Sequence, residues 1–204
     1  MSPTLVKICG VRDVASGVAA ALAGADLIGF HFCPSPRRVS PAQALAVADR
    51  LPRRPQLVGV FIDEEPARVD EISAMLGLDL VQLHGSEPPG YAVKAPVMKV
   101  LKVRDGRLPE AGAWPDPLML DTWSVDQRGG TGARWDWALA SPMIATRRVF
   151  IAGGLGPANV GELVRRHRPH GVDVSSGVES EPGRKDPELL RAFVAAVRAA
   201  DDEG

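Results

Sequence analysis

The sequence predicts an α/β protein, a single-domain (β/α)8 TIM barrel with short loops over residues 1–204. Short β-rich runs alternate with helical patterns eight times along the chain, and such alternation is typical of a parallel sheet that closes on itself. Each unit averages about 25 residues, near the lower bound for this fold. No linker or low-complexity segment divides the chain. A doubly wound open sheet is the structural alternative.

Eight runs rich in aliphatic and β-branched residues are the predicted strands. In chain order they are VKIC (6–9), DLIGFHF (26–32), QLVGVFI (56–62), LDLVQLH (78–84), VMKVLKV (97–103), LMLD (118–121), RVFIAG (148–153) and VDVS (172–175).

Amphipathic stretches between these runs predict the helices. The clear ones cover residues 12–24, 41–51, 65–76, 157–168 and 186–200. Three begin with a cap or a first-turn proline, at Ser40-Pro41, Gly156-Pro157 and Asp186-Pro187. The connections after strands four and five are too short or too rich in proline and glycine for long helices, so we expect reduced helices there.

Composition and charge argue against several classes of function. With 24 basic and 25 acidic residues the chain is nearly neutral, which gives no support for a nucleic-acid or membrane-surface partner. No apolar run reaches membrane-spanning length, and no secretion signal begins the chain. Cys9 and Cys33 fit no metal-ligand pattern and are expected to be free thiols in a reducing compartment. We therefore expect a cytoplasmic protein, either monomeric or dimeric.

Chemically active residue types concentrate at the carboxyl ends of the predicted strands, the end that carries the active site in (β/α)8 barrels. They are Cys9, Arg37 and Arg38 in the following loop, His84, Asp121, Gly153-Gly154 and Ser175-Ser176-Gly177. Their concentration at one end of the sheet predicts an enzyme.

Strand alternation separates two faces of the first strand. If Val6 and Ile8 face the helices, Lys7 and Cys9 face the barrel interior. Strand eight adjoins strand one in a closed barrel, and an interior ammonium needs a carboxylate to offset its desolvation. Asp173 is therefore the expected partner of Lys7, and a cation below Cys9 would favour its thiolate.

Purely structural interpretations remain open for three of these residues. Cys9 could be a small buried hydrophobe, His84 a hydrogen-bonded core histidine, and Asp121 a turn cap. An aspartate that ends an apolar strand at the catalytic end nevertheless favours a functional role.

Two glycine-bearing loops predict a phosphate site. IAGGLGPANV (151–160) follows strand seven, and VDVSSGVE (172–179) ends strand eight. Backbone amides at such turns bind phosphate without a basic side chain, and barrels frequently bind phosphate after strands seven and eight. The two loops in this order predict a small phosphorylated substrate.

Several motifs occur together in a specific order along nearly the whole chain. They are KICG (7–10), GADLIGFHF (24–32), SPRRVSP (35–41), VGVFIDE (58–64), VQLHG (81–85), MLDT (119–122), GGTGARWDW (129–137), AGGL (152–155), DVSSGVES (173–180) and GRKD (183–186). In these motifs the chain resembles the phosphoribosylanthranilate isomerases. It departs from the family at His31, where an aliphatic residue is usual, and at Arg38, where an aromatic residue is frequent.

The resemblance implies an aldose–ketose isomerase of tryptophan biosynthesis that performs an Amadori rearrangement with no metal and no cofactor. The family's general acid corresponds to Asp121 and its general base to Cys9. The substrate-binding residues that it implies are Lys7, Arg37 (for the anthranilate carboxylate), His84 and Asp173. The phosphate-binding residues are Gly153, Gly154, Ser176 and Gly177.

Three other functions remain as alternatives. The histidine-pathway isomerase performs the same chemistry with an aspartate base on strand one, so Cys9 argues against it, although a dual-substrate isomerase stays possible. A metal-dependent sugar-phosphate epimerase needs grouped His and carboxylate ligands, of which only His84 fits. A non-catalytic phosphometabolite-binding barrel would have no need of both Cys9 and Asp121.

Overall fold

Eight parallel strands form a closed barrel in chain order in the computed structural model, which describes residues 2–122 and 135–203. The strands are β1 (Leu5–Cys9), β2 (Leu27–His31), β3 (Gln56–Phe61), β4 (Leu80–Leu83), β5 (Val97–Val103), β6 (Leu118–Thr122), β7 (Val149–Ile151) and β8 (Gly171–Val174). The closure confirms the predicted barrel, and the open doubly wound sheet is wrong.

Six helices surround the barrel in the described residues. They are α1 (Val14–Ala23), α2 (Pro41–Ala48), α3 (Pro66–Leu76), α4 (Ser141–Ile144), α5 (Val160–His167) and α6 (Pro187–Asp202). The connections 84–96 and 104–117, after β4 and β5, contain no helix, as their composition predicts. The short α4 follows a 3-10 turn at Trp137–Ala140 and was not among the clear helical patterns.

Two of the three predicted helix starts are confirmed. Ser40 and Gln43 form a reciprocal capping box at α2, and Asp186 accepts two backbone N–H groups at the start of α6. The third prediction, at Gly156-Pro157, is wrong because α5 begins only at Val160. The Asn159 carboxamide closes a turn before it, accepting from the Gly156 N–H at 2.9 Å and donating to the Gly154 carbonyl at 2.9 Å.

The two faces of each strand belong to different cores, as alternation predicts. Val6, Ile8, Val172 and Val174 pack in the core between the barrel and its helices. The interior is filled by side chains from the opposite faces of the strands, Leu27, Val58, Leu80, Met98, Val100, Met119, Phe150 and Ala152. Polar side chains further along these inner faces therefore emerge at the carboxyl-end mouth.

A two-stranded antiparallel hairpin follows β8 and was not predicted. It consists of β9 (Glu179–Glu181) and β10 (Arg184–Lys185), and Gly183 in its turn has φ +84°, a conformation that favours glycine. The pairing puts Lys185 opposite Glu179, and this pair contributes to the site described below. In the described part of the chain no helix is both long and apolar enough to cross a membrane.

Candidate active site

The predicted acid and base lie at the same mouth of the barrel. Cys9 is the last residue of β1, Asp121 lies next to the end of β6, and His84 directly follows β4. Parallel strands bring all their carboxyl ends to one rim. The Cys9 residue is 4% exposed and the Asp121 side chain 18%, so the carboxyl is the more open of the two.

Lys7 and Asp173 form the ion pair that alternation and barrel closure predict. The two residues are paired in register across β1 and β8, and Lys7 Nζ donates to Asp173 Oδ1 at 2.6 Å. Burial opposes the charged form of Lys7, but the attraction of Asp173 and Cys9 outweighs it and raises the pKa of the lysine. The neighbouring strand leaves space here, because a Cβ at Gly29 would lie 2.9 Å from Cys9 Sγ and 3.1 Å from Lys7 Nζ.

Cys9 is a thiol rather than a favoured thiolate in the substrate-free protein. Burial raises the pKa of its thiol, although the Lys7 ammonium acts in the opposite direction. Lys7 thus acts on the thiol in the predicted direction, but desolvation has the larger effect on its pKa. Two local features explain why the KICG motif ends in glycine. Gly10 has φ +74°, and a Cβ at this position would lie 2.4 Å from Arg37 Cδ.

His31, for which the sequence indicates no role, contacts the sulfur of Cys9. Its Nε2 lies 3.2 Å from Cys9 Sγ, and its Nδ1 lies 3.0 Å from Ser35 Oγ. Burial, together with the positive charges of Lys7, Arg37 and Lys185, holds the pKa of the His31 imidazole well below its usual range. The ring is therefore neutral at physiological pH.

Asp121 is held by two partners and stands beside His84. The Lys102 ammonium donates to Oδ2 at 2.7 Å, and the Thr122 N–H donates to Oδ1 at 2.8 Å. Lys102 also contacts His84 Nε2, which lies 3.6 Å from Asp121 Oδ2. Burial and the Lys102 charge lower the pKa of His84 to about 4, despite the opposing carboxylate. His84 is thus a neutral group beside the predicted acid.

Arg37 belongs to a buried charge triad. It is 6% exposed, and it donates through Nε and Nη2 to the two oxygens of Glu179 at 2.8 and 2.7 Å. Lys185 donates to Glu179 Oε1 at 2.7 Å and to the Ser175 carbonyl at 3.0 Å. Burial opposes ionisation of Glu179, but the two cations lower its pKa to about 2. Two cations around one carboxylate leave one net positive charge.

The predicted contact between Arg37 and a substrate carboxylate stays a prediction. Glu179 already occupies the guanidinium edge formed by Nε and Nη2, so a second anion would have to approach from another direction. Arg38, the alternative cation of this loop, is exposed.

The two glycine-bearing loops lie against each other. Gly153 and Gly154 have φ +87° and +68°, values that favour glycine. A Cβ at Gly177 would lie 1.9 Å from the Leu155 carbonyl oxygen, and one at Gly153 would lie 3.1 Å from Asp121 Oδ1. Ser176 begins a 3-10 turn directly after β8. The predicted phosphate-binding residues are therefore neighbours, and their loop adjoins the predicted acid.

The GGTG motif lies at 129–132, outside the described residues. The described part of the GGTGARWDW match begins at Trp135, whose indole Nε1–H donates to the Ala152 carbonyl at 3.1 Å. Within residues 2–122 and 135–203, no group of three or more His, Cys, Asp and Glu side chains could hold a metal ion.

Sequence reasoning assigned no role to Lys102, Glu179, Lys185 or His31. A signal existed for Lys102, because it shares a strand face with Met98 and Val100, which fill the interior. Glu179 and Lys185 lie inside two of the matching motifs, DVSSGVES and GRKD. Their mutual contact depends on the hairpin, which alternation did not reveal.

Comparison with known proteins gives the same family along nearly the whole chain. Residues 6–196 match the family model of N-(5'-phosphoribosyl)anthranilate (PRA) isomerase. The chain is 44% identical over 203 residues to the N-(5'-phosphoribosyl)anthranilate isomerase of Geobacter sp. strain M21, covering 96% of this chain and 98% of the relative. It is 40% identical to that of Pelobacter propionicus, covering 97% of each.

Solved structures agree with the sequence relatives. The phosphoribosyl anthranilate isomerase of Thermus thermophilus superimposes with a TM-score of 0.87 at 37% identity, covering 96% of this chain and 99% of that one. A second phosphoribosyl anthranilate isomerase, solved in complex with reduced 1-(o-carboxyphenylamino)-1-deoxyribulose 5-phosphate, gives 0.81 at 33% identity with the same coverage. The chain belongs to the N-(5'-phosphoribosyl)anthranilate isomerase family.

Proposed function

We propose that the protein is the isomerase of tryptophan biosynthesis that converts N-(5'-phosphoribosyl)anthranilate into 1-(2-carboxyphenylamino)-1-deoxyribulose 5-phosphate. The observation that carries the proposal is the position of Cys9 and Asp121 at the ends of β1 and β6, at one barrel mouth in a chain of this family. A thiol and a carboxyl on different strands can serve as base and acid on opposite sides of one sugar.

The first step is ring opening by Asp121. Its carboxyl group gives a proton to the furanose ring oxygen, the bond between that oxygen and C1 breaks, and the anthranilate nitrogen forms a C1 Schiff base. Lys102 and the Thr122 N–H contact one carboxyl oxygen each, which supports a fixed orientation of the acid. Orientation of this kind contributes directly to rate.

The second step is removal of the C2 proton by the thiolate of Cys9. The electron pair of the C2–H bond forms the enolamine double bond, and the Schiff-base nitrogen accepts the displaced pair. Gain of a proton at C1 and loss of one from the C2 hydroxyl then give the ketone, so the atoms balance. Burial disfavours the thiolate, whereas the cations Lys7 and Lys185 favour it. The balance of these effects sets the fraction of Cys9 that is thiolate, and the rate of this step depends on that fraction.

Substrate binding is assigned to groups around this pair. The net positive charge of the Arg37, Glu179 and Lys185 triad suits the anthranilate carboxylate. The backbone amides of the loops at Gly153-Gly154 and Ser176-Gly177 would bind the phosphate.

His84 and Asp173 are proposed to line the sugar, and Lys7 to support Cys9 and Asp173 from below. The histidine-pathway and dual-substrate alternatives are not favoured, because Cys9 takes the place of an aspartate base and the matching relatives are anthranilate isomerases. A cytoplasmic location is proposed with this function, supported by two cysteines that are free in the structure.

Loss of anthranilate fluorescence on incubation with the substrate tests the proposal. Wild-type protein should consume phosphoribosylanthranilate, and Cys9→Ala should abolish turnover while the fold is retained, because the change removes little volume. Cys33→Ala is the matched control, since Cys33 is a buried thiol in the same cluster as Cys9 but has no assigned role. An inactive wild type, or full activity in Cys9→Ala, would overturn the proposal.

A further inference from the structure

His31 contacts Cys9 from the adjacent strand. Cys9 is paired with Gly29 across β1 and β2, and His31, two residues further along, projects from the same face. Its Nε2 lies 3.2 Å from Cys9 Sγ. An aliphatic side chain at this position could make no such contact.

The second ring nitrogen lies against a hydroxyl group that can donate a proton to it. Ser35 Oγ lies 3.0 Å from His31 Nδ1 and accepts the Arg37 N–H, also at 3.0 Å. The hydroxyl proton takes no part in that bond, so Ser35 can donate it to Nδ1. A ring that accepts at Nδ1 carries its own proton on Nε2, and this N–H is directed at the sulfur.

We propose that His31 is a positioning residue for Cys9. The Nε2–H group of His31 donates a hydrogen bond to the Cys9 thiolate, the form that removes the C2 proton. The inference rests on the proposed function only in naming that proton. His31 gives the base a hydrogen-bond donor from the neighbouring strand β2.

The charges around the pair are consistent with a neutral donor. Cys9 faces Lys7 on its own strand, Asp173 on β8 and Lys185 on β10. His31 faces the cations Lys7, Arg37 and Lys185, and the neighbouring His84. A further positive charge on the ring would be repelled, and burial lowers the pKa of His31 as well. The imidazole can therefore stabilise the thiolate by a hydrogen bond without accepting its proton.

The opposite tautomer predicts the opposite result, and this makes the proposal testable. If Nε2 were the acceptor, it would hold the proton on sulfur, and loss of His31 would leave the thiol pKa unchanged or lower it. If Nε2 donates, loss of His31 removes a hydrogen bond to a charged group and raises that pKa by about one unit, a tenfold change in the thiolate fraction.

The test measures the rate of iodoacetamide alkylation of Cys9 against pH in the substrate-free protein. Trypsin cuts after Lys7 and Arg12 and so separates Cys9 from Cys33, which allows each thiol to be followed by mass spectrometry. His31→Val should raise the apparent pKa of Cys9 by about one unit. His31→Gln should stay near the wild type, because its carboxamide nitrogen keeps a donor at similar reach.

His31→Asn provides a second loss variant should the valine variant not fold, because its shorter carboxamide does not reach the sulfur. The kcat at pH 7.5 should fall about tenfold in the loss variants and recover at alkaline pH, with KM little changed. An unchanged or lowered Cys9 pKa in both loss variants would overturn the proposal. Alkylation needs no turnover, so it tests the role of His31 even if the wild type is inactive. An inactive wild type would count against the proposed function only.

Discussion

The Lys7 ammonium and the Asp173 carboxylate lie 2.6 Å apart in the seam where β8 closes the barrel on β1. Lys7 is 0% exposed and Asp173 9%, so neither charge is compensated by bulk water. The pair therefore links β1 to β8 where the barrel closes, and it lies in the barrel interior next to Cys9.

Removal of one member of this pair should cost more than removal of both. Asp173→Ala leaves the buried ammonium uncompensated and should lower the free energy of unfolding by about 3–5 kcal/mol. The double variant Lys7→Met with Asp173→Leu leaves no uncompensated charge at this position and should lose less stability. Urea unfolding at pH 7.5 measures both values. A double variant less stable than the single one would contradict the argument.

The Lys7 and Asp173 pair could be predicted because it needs only strand alternation and the closure of an eight-stranded barrel. The triad of Arg37, Glu179 and Lys185 could not, because it depends on a hairpin whose short strands have no alternating apolar pattern. The start of α5 also differs from the prediction. The Asn159 carboxamide closes a turn, and this turn takes the place of the first helical residues that Gly156-Pro157 predicts.

Asp121→Asn tests the acid. The amide cannot protonate the ring oxygen, so kcat should fall at least about 10²-fold, while the inhibition constant of inorganic phosphate stays near that of the wild type. Asp105→Asn is the matched control, because its side chain is 85% exposed and it lies in the loop after β5. An Asp121→Asn protein with the wild-type rate would remove Asp121 from the mechanism.

His84 should make the protein less stable as the pH falls from about 6.5 to 4. Its folded-state pKa of about 4 lies below its usual 6.5, so the unfolded chain takes up the proton first. The stabilisation is complete well above pH 6.5 and is lost as the pH falls towards 4, and the loss reaches about 2–3 kcal/mol at pH 4.5. Urea unfolding of wild type and His84→Gln at pH 7.5 and 4.5 should show the steeper loss in the wild type. Equal losses would show that His84 does not titrate in this way.

Gly177→Ala tests the proposed phosphate cradle. The new Cβ would lie 1.9 Å from the Leu155 carbonyl oxygen, so the two loops must separate. The KM for substrate and the inhibition constant of inorganic phosphate should each rise at least about tenfold. Gly156→Ala is the matched control in the facing loop after β7, since its Cβ would meet the Gly177 carbonyl oxygen at an ordinary 3.6 Å. Unchanged phosphate inhibition in Gly177→Ala would place the phosphate elsewhere.

The most direct test of the proposed activity is the kcat/KM of wild-type protein on the anthranilate substrate and on the aminoimidazole substrate of the histidine pathway, under one set of conditions. The second substrate has a neutral carboxamide in place of the carboxylate and a second phosphate. The triad at Arg37 offers one net positive charge, and we identify one glycine-rich cradle in the described residues. The kcat/KM for the anthranilate substrate should be at least about 10²-fold higher than for the aminoimidazole substrate. Comparable values on both, or none on the anthranilate substrate, would contradict this prediction.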